Sequence, residues 1–168
     1  MKKTALVLIS LIFSTLVFAQ IKYTNQENDF SVTFPKTPEY SAKESGDDGK
    51  IVLTHYYIAM SENRVLYTVS MTVNSAGGRL FDDTDLQPFM SNTAEGFFQA
   101  LDVKPTPLKN IKSGKIKGQE YSGNNDKYSI IYRVFVNSDK LFQVIIMGVS
   151  QDPPKKVAKT FFKSFKIL

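Results

Sequence analysis

The 168-residue chain contains no cysteine, no tryptophan and one histidine. Each shortage removes a class of chemistry. Without cysteine there is no disulfide framework, no thiolate nucleophile, no sulfur-based zinc site and no thioether-linked lipid anchor. Without tryptophan there is no indole platform for sugars, a role left to tyrosine. The single His55, in Leu53-Thr-His-Tyr-Tyr57, cannot make a multi-histidine metal site. Serine and aspartate are plentiful enough for a Ser-His-Asp arrangement. No Gly-x-Ser-x-Gly turn is present to expose a strained nucleophile, however, and His55 reads as a strand residue without catalytic duty. Long apolar runs are lacking too. Ala5 to Phe18 falls short of the ~20 residues that a membrane-spanning helix needs.

That run follows Lys2 and Lys3 and is broken only by Ser10, Ser14 and Thr15, the layout of a secretory signal peptide. Val17-Phe18-Ala19 supplies the cleavage site. Residues 1–19 are expected to be removed, leaving residues 20–168 as one domain in the periplasm or outside the cell, not transmembrane. A domain of about 150 residues buries about 68–70% of its unfolded surface, enough for a core without staples. Loss of Lys2 and Lys3 leaves 19 Lys and Arg against 16 acidic residues, so the net charge falls from +5 to +3. So mild a bias points away from a nucleic-acid partner.

What is abundant is aromatic and β-branched residues. Residues 128–150 read as a long hairpin, two Ile-, Val-, Phe- and Tyr-rich runs around the turn Asn137-Ser-Asp-Lys140. Ile130, Tyr132, Val134 and Val136 share one face, and Ile131 and Phe135 the other, interrupted by Arg133. Leu141, Ile145, Met147 and Val149 oppose Phe142, Val144 and Ile146 on the return strand. Apolar residues on both faces predict a central position in a sheet covered on both sides. Phe30 to Phe34 alternates as a strand ended by Pro35, and residues 36–44 read as an exposed strand. Ile51 to Met60 and Val65 to Val73 form another hairpin, with Val65, Tyr67, Val69, Met71 and Val73 inward and Leu66, Thr68, Ser70 and Thr72 facing away. Residues 20–29 read as a loose lead-in, and 105–122 as two short extended pieces around Ser113-Gly114. A helix is expected over Asp85 to Leu101, capped by Asp85, with Leu86, Phe89, Met90, Ala94, Phe97 and Leu101 as its stripe. A second begins at Asp152-Pro-Pro154, with Val157, Ala158, Phe161 and Phe165 as its stripe. The economical architecture is α+β, an antiparallel sheet with helices packed on it.

Phe30-Ser-Val-Thr-Phe-Pro35 near the start, Phe161-Phe-Lys-Ser-Phe-Lys166 after a Pro-capped helix, and the aromatic hairpin with Tyr132-Arg-Val134 between them resemble the PsbP-like/Mog-like superfamily over about residues 28–168. The resemblance implies an α/β/α sandwich with a central antiparallel sheet flanked by helices. It also implies the role of a binding or assembly accessory, since members include an extrinsic photosystem II subunit, a partner of the Ran GTPase and small exported bacterial proteins. The matched positions are packing residues and carry over no catalytic or cofactor role.

Asp82, Asp83 and Asp85, with Glu95, form the densest carboxylate cluster, open to reading as an oxygen-ligand cation site or as capping and loop residues. Gly77-Gly-Arg79 lacks the Gly-Lys-Ser/Thr ending of a phosphate cradle and reads as a flexible strand exit. The basic stretch Lys104, Lys109, Lys112, Lys115 and Lys117 has only Glu120 among its neighbours as an acid. Lys109, Lys112, Lys115 and Lys117 are candidates for binding an acidic partner or anionic headgroups, or are edge-strand lysines that prevent aggregation. The expected function is therefore a non-catalytic exported module that binds another envelope or secreted protein, with no cofactor and no metal. The alternative is a carrier of a small apolar ligand or lipid held between sheet and helix.

Overall fold

A computed structural model of the protein describes residues 20–47, 50–80, 86–150, 152–153 and 155–168. The signal peptide expected at 1–19, the Asp82, Asp83 and Asp85 cluster, the Asp85 cap and the helix-starting Pro154 lie outside the described residues.

Seven strands form one antiparallel sheet in the order β3-β4-β5-β9-β8-β7-β6. They are β3 (Glu39–Asp47), β4 (Lys50–Met60), β5 (Val65–Asn74), β6 (Thr106–Ser113), β7 (Ile116–Asn124), β8 (Tyr128–Val136) and β9 (Lys140–Val149). The predicted hairpin is β8 and β9, and β9 is the middle strand. The Asn137 side chain shapes its turn, Oδ1 accepting from the Asp139 and Lys140 amides at 3.0 and 2.7 Å.

Strand alternation divides the apolar residues between two cores. Ile130, Tyr132, Val134, Val136, Leu141 and Ile145 pack with Met90, Ala94 and Phe98 of helix α1 (Leu86–Gln99). Phe135, Phe142, Val144 and Ile146 face the other way, onto Phe161, Phe162 and Phe165. The first two belong to helix α2 (Lys155–Ser164), and Phe165 follows it. The second core is completed by a three-stranded sheet of β1 (Ile21–Asn25), β2 (Phe30–Phe34) and β10 (Lys166–Ile167), with β2 in the middle. Phe30, Val32 and Phe34 are buried, as their alternation predicts. The expected antiparallel sheet with two helices is therefore present. The molecule is nonetheless dominated by sheet, and the layer that carries α2 is half β-structure.

Residues 20–29 are not a loose lead-in. Ile21 to Asn25 pairs with Phe34 to Phe30, and its polar, half-exposed composition suits an edge strand. Thr68, Ser70 and Thr72 do point away from Val69 and Met71, yet all three are buried, because small side chains on an inner strand are shadowed by their neighbours. Thr72 satisfies its hydroxyl against Thr54 at 2.9 Å. In α1 the fully buried ring is Phe98; Phe97 lies over Tyr132, ring centres 5.0 Å apart. In α2 Phe162 takes the place expected for Val157, which is exposed.

Candidate functional site

The predicted lysines lie on the β6–β7 hairpin at one edge of the large sheet. Gly114 makes the tight turn possible, with φ of 59°, a region that side chains other than glycine enter at a cost. A register shift between Pro107 and Lys109 interrupts the outer strand. Pro107, this irregularity and the lysines together blunt the edge against strand addition.

The four candidates do not form one cluster. Lys109 lies opposite Glu120 in the register, its Nζ 3.2 Å from Glu120 Oε1, on the face that carries Ile111 and Ile116 towards α2. Lys112 and Lys117 face the other way and stand directly opposite each other. Lys115 sits in the turn, not in an extended run with Lys117, because β7 begins at Ile116. Lys112, Lys115 and Lys117 are exposed together at the hairpin tip, and Lys109 is turned to the other face, where it shares Glu120 with Arg133. Next to the two facing lysines, Gln119 donates to Asn110 at 3.4 Å and accepts from the Tyr121 hydroxyl at 2.5 Å.

His55 lies on β4 beneath the exposed Tyr40, with 3.0 Å between the Tyr40 hydroxyl and His55 Nδ1. Burial lowers its pKa, and the Glu27 carboxylate opposes that only in part. Nearby, the buried Tyr57 hydroxyl accepts from Asn25 Nδ2 at 2.8 Å and Asn28 Nδ2 at 2.5 Å. Burial pushes this phenol up to about 12. Asn28 is itself buried and its amide is held by Asn25 Oδ1 at 2.9 Å. These bonds tie the β1–β2 corner to the large sheet, and the group reads as a structural knot. Among the described residues no three His, Asp or Glu side chains are placed to share a metal ion. Gly77 and Gly78 both adopt positive φ as the chain leaves β5, as a strand exit requires. No helix among the described residues is long and apolar enough to cross a membrane.

A cleft of about 150 Å3 opens between α2 and the β4–β5 turn. Pro35, Val65, Tyr67, Val157, Thr160 and Phe161 line it, with the Tyr67 and Phe161 rings edge to face at 5.2 Å. Two polar hollows of about 450 and 320 Å3 adjoin the loop Asn125-Asp-Lys127 at the end of α1.

The helix beside the cleft, with the short strand after it, carries a basic surface that apolar periodicity does not reveal. Lys155, Lys156, Lys159, Lys163 and Lys166 are all exposed, and no acidic residue follows Asp152. The signal was visible as five lysines in twelve residues. The apolar stripe Val157, Ala158, Phe161 and Phe165 runs through the same segment and masks it.

No family profile and no curated protein sequence matches the chain. Its fold is similar to the solution structure of cyanobacterial PsbP (CyanoP) from Synechocystis sp. PCC 6803, with a TM-score of 0.56 and 12% identity over 92% of this chain and 96% of that one. The PsbP-like resemblance therefore holds at the level of fold; at this identity it carries no function.

Proposed function

We propose that this protein is a non-catalytic exported accessory module, an α/β/α-sandwich relative of the PsbP-like/Mog-like proteins, that binds another envelope or secreted protein through the tip of the β6–β7 hairpin. The observation that carries this reading is the cross-strand pair Lys112 and Lys117. Like charges directly opposite each other on a sheet are destabilising. The chain keeps two, adds Lys115 at the turn between them, and uses the hairpin's one carboxylate, Glu120, on the opposite face. A surface that works against the fold's own stability is suited to an acidic partner that relieves the repulsion on docking.

The cleft beside α2 is the feature on which the carrier reading would rest. Its volume of about 150 Å3 is below the ~300 Å3 where small-molecule pockets begin, which supports the accessory module over a lipid carrier.

Photo-crosslinking in the native envelope tests the proposal. Benzoylphenylalanine in place of Lys115 is expected to give a defined adduct with an acidic envelope protein. The same group in place of Asn92, exposed on α1, is expected to give none. Absence of an adduct from position 115, or equal adducts from both, overturns the reading.

A further inference from the structure

We infer that the cleft between α2 and the β4–β5 turn is an anchor pocket for one apolar side chain of an acidic polypeptide segment. This rests on the reading that the natural partner is a protein and adds a second docking point to the hairpin tip.

Size comes first. A dry cavity of about 150 Å3 is known to hold a molecule as large as benzene, so this cleft accepts one phenylalanine- or leucine-sized group and no more. Its floor is the edge-to-face pair Tyr67 and Phe161, both buried. Aromatic walls of this kind hold the buried anchors that dominate protein interfaces.

Charge around the mouth comes second. Lys22 lies opposite the cleft residue Thr33 in the β1–β2 register. Lys36 follows Pro35, and Arg64 lies between Asn63 and Val65 with its backbone at φ 55°. Lys156 and Lys163 are four and three residues from Thr160, hence neighbours on the helix surface, and the Thr160 hydroxyl donates to Lys156 O at 3.0 Å. All five cations are exposed; Glu62 is the acid that shares the β4–β5 turn with Arg64. An apolar hole ringed by cations complements an apolar residue flanked by carboxylates.

An anionic membrane would also be drawn to the lysines. It is the weaker candidate, because an acyl chain exceeds the cleft. In addition, the apolar face of α2 that an interfacial helix would push into lipid, Ala158, Phe161 and Phe162, is already spent on the core.

The test is a titration of the 15N-labelled protein, followed by amide shifts, with the peptide acetyl-Glu-Glu-Phe-Glu-Glu-amide, with its alanine counterpart and, separately, with phosphatidylglycerol vesicles. The phenylalanine peptide is expected to bind about tenfold more tightly and to move the amides of Val65, Tyr67, Thr160 and Phe161. Val157→Trp, at an exposed helix position on the cleft wall, fills the hole and is expected to abolish that difference. Lys156→Glu with Lys163→Glu is expected to weaken both peptides and flatten their salt dependence. Equal binding of the two peptides, shifts confined to the β6–β7 tip, or response only to phosphatidylglycerol vesicles overturns the inference. Because the peptide assay uses purified protein, it can fail while crosslinking from position 115 succeeds, and the reverse, so the two proposals stand or fall separately.

Discussion

Arg133 on β8 donates from Nε to Glu120 on β7 at 2.6 Å, and the same guanidinium lies 4.2 Å from the centre of the Phe162 ring. One Arg133 nitrogen also reaches the Phe162 carbonyl, at 3.4 Å. A residue that interrupts an apolar strand face thus becomes the clamp that holds the end of α2 on the sheet. Glu120 is buried and Arg133 mostly so; Lys109 is exposed and cannot replace the clamp.

Removing only the arginine leaves the buried Glu120 carboxylate with the exposed Lys109 as its ion-pair partner. Arg133→Met is expected to cost up to about 3–5 kcal/mol, the result of breaking a buried pair from one side, with Lys109 offsetting part of it. Arg133→Met combined with Glu120→Gln is expected to cost much less. Urea unfolding of the single and double variants decides this, and a single-variant loss below about 1 kcal/mol would remove the clamp from the account.

Two positions of the expected α2 stripe, one buried and one exposed, should respond differently. Phe161 touches Phe34, Tyr67 and Phe162, with ring centres 5.2–5.8 Å away. Phe161→Ala is expected to cost about 3–5 kcal/mol. Val157→Ala, at an exposed position, is expected to stay within about 0.5 kcal/mol. Equal losses at the two positions would mean that the helix is seated otherwise.

The facing lysines should be costly to the free protein. Lys112→Glu places opposite charges across from each other at Lys117 and is expected to raise stability by about 0.2–1 kcal/mol. A fall in the urea midpoint would show that the pair is not frustrated and would remove the main support for a docking role.

The legible parts of this fold were those whose burial is written in side-chain period. β8 and β9 carry apolar residues at every position of both faces except Arg133, Gln143 and a few ends, and only a central place in a covered sheet satisfies that. β1 was not legible, because Ile21-Lys-Tyr-Thr-Asn25 becomes a strand only through the edge that β2 offers it. β10 is two residues held by Ser31 and Phe30, too short for any pattern. Phe97 and Phe98 are adjacent, so helical spacing alone could not choose between them. Space at the end of the helix does: Phe98 fills the volume beside Gly123, where a Cβ would stand 2.8 Å from its ring and 2.6 Å from Val103. The lysine stretch was visible as composition, but its split between two faces depends on the register that the Gly114 turn imposes.

Stability should fall at both ends of the pH scale, for opposite reasons. Burial raises Tyr57 to about 12 and also raises Tyr67, Tyr121 and Tyr132. The unfolded chain releases these protons near pH 10, so above that it binds fewer than the folded state, and stability is lost as pH rises towards 12. His55 is lowered, chiefly by burial. The unfolded imidazole takes its proton first, so stability also declines as pH falls below about 6.5. Urea midpoints across this range should show both limbs, with Tyr57→Phe flattening the alkaline one and His55→Gln the upper part of the acid one. Limbs unchanged in both variants would assign the pH dependence to other groups.

The central claim is that an acidic partner docks on the hairpin tip. Its most direct test is retention of envelope proteins on immobilised wild-type protein and on Lys112→Glu/Lys117→Glu, each confirmed as folded, over a series of salt concentrations. The wild type is expected to retain a defined acidic protein that salt releases, because exposed charges act over about a Debye length, ~8 Å at physiological salt. The double variant is expected to lose this protein while keeping a native urea midpoint. Equal retention of the same protein by the folded double variant would show that the hairpin tip is not the docking surface.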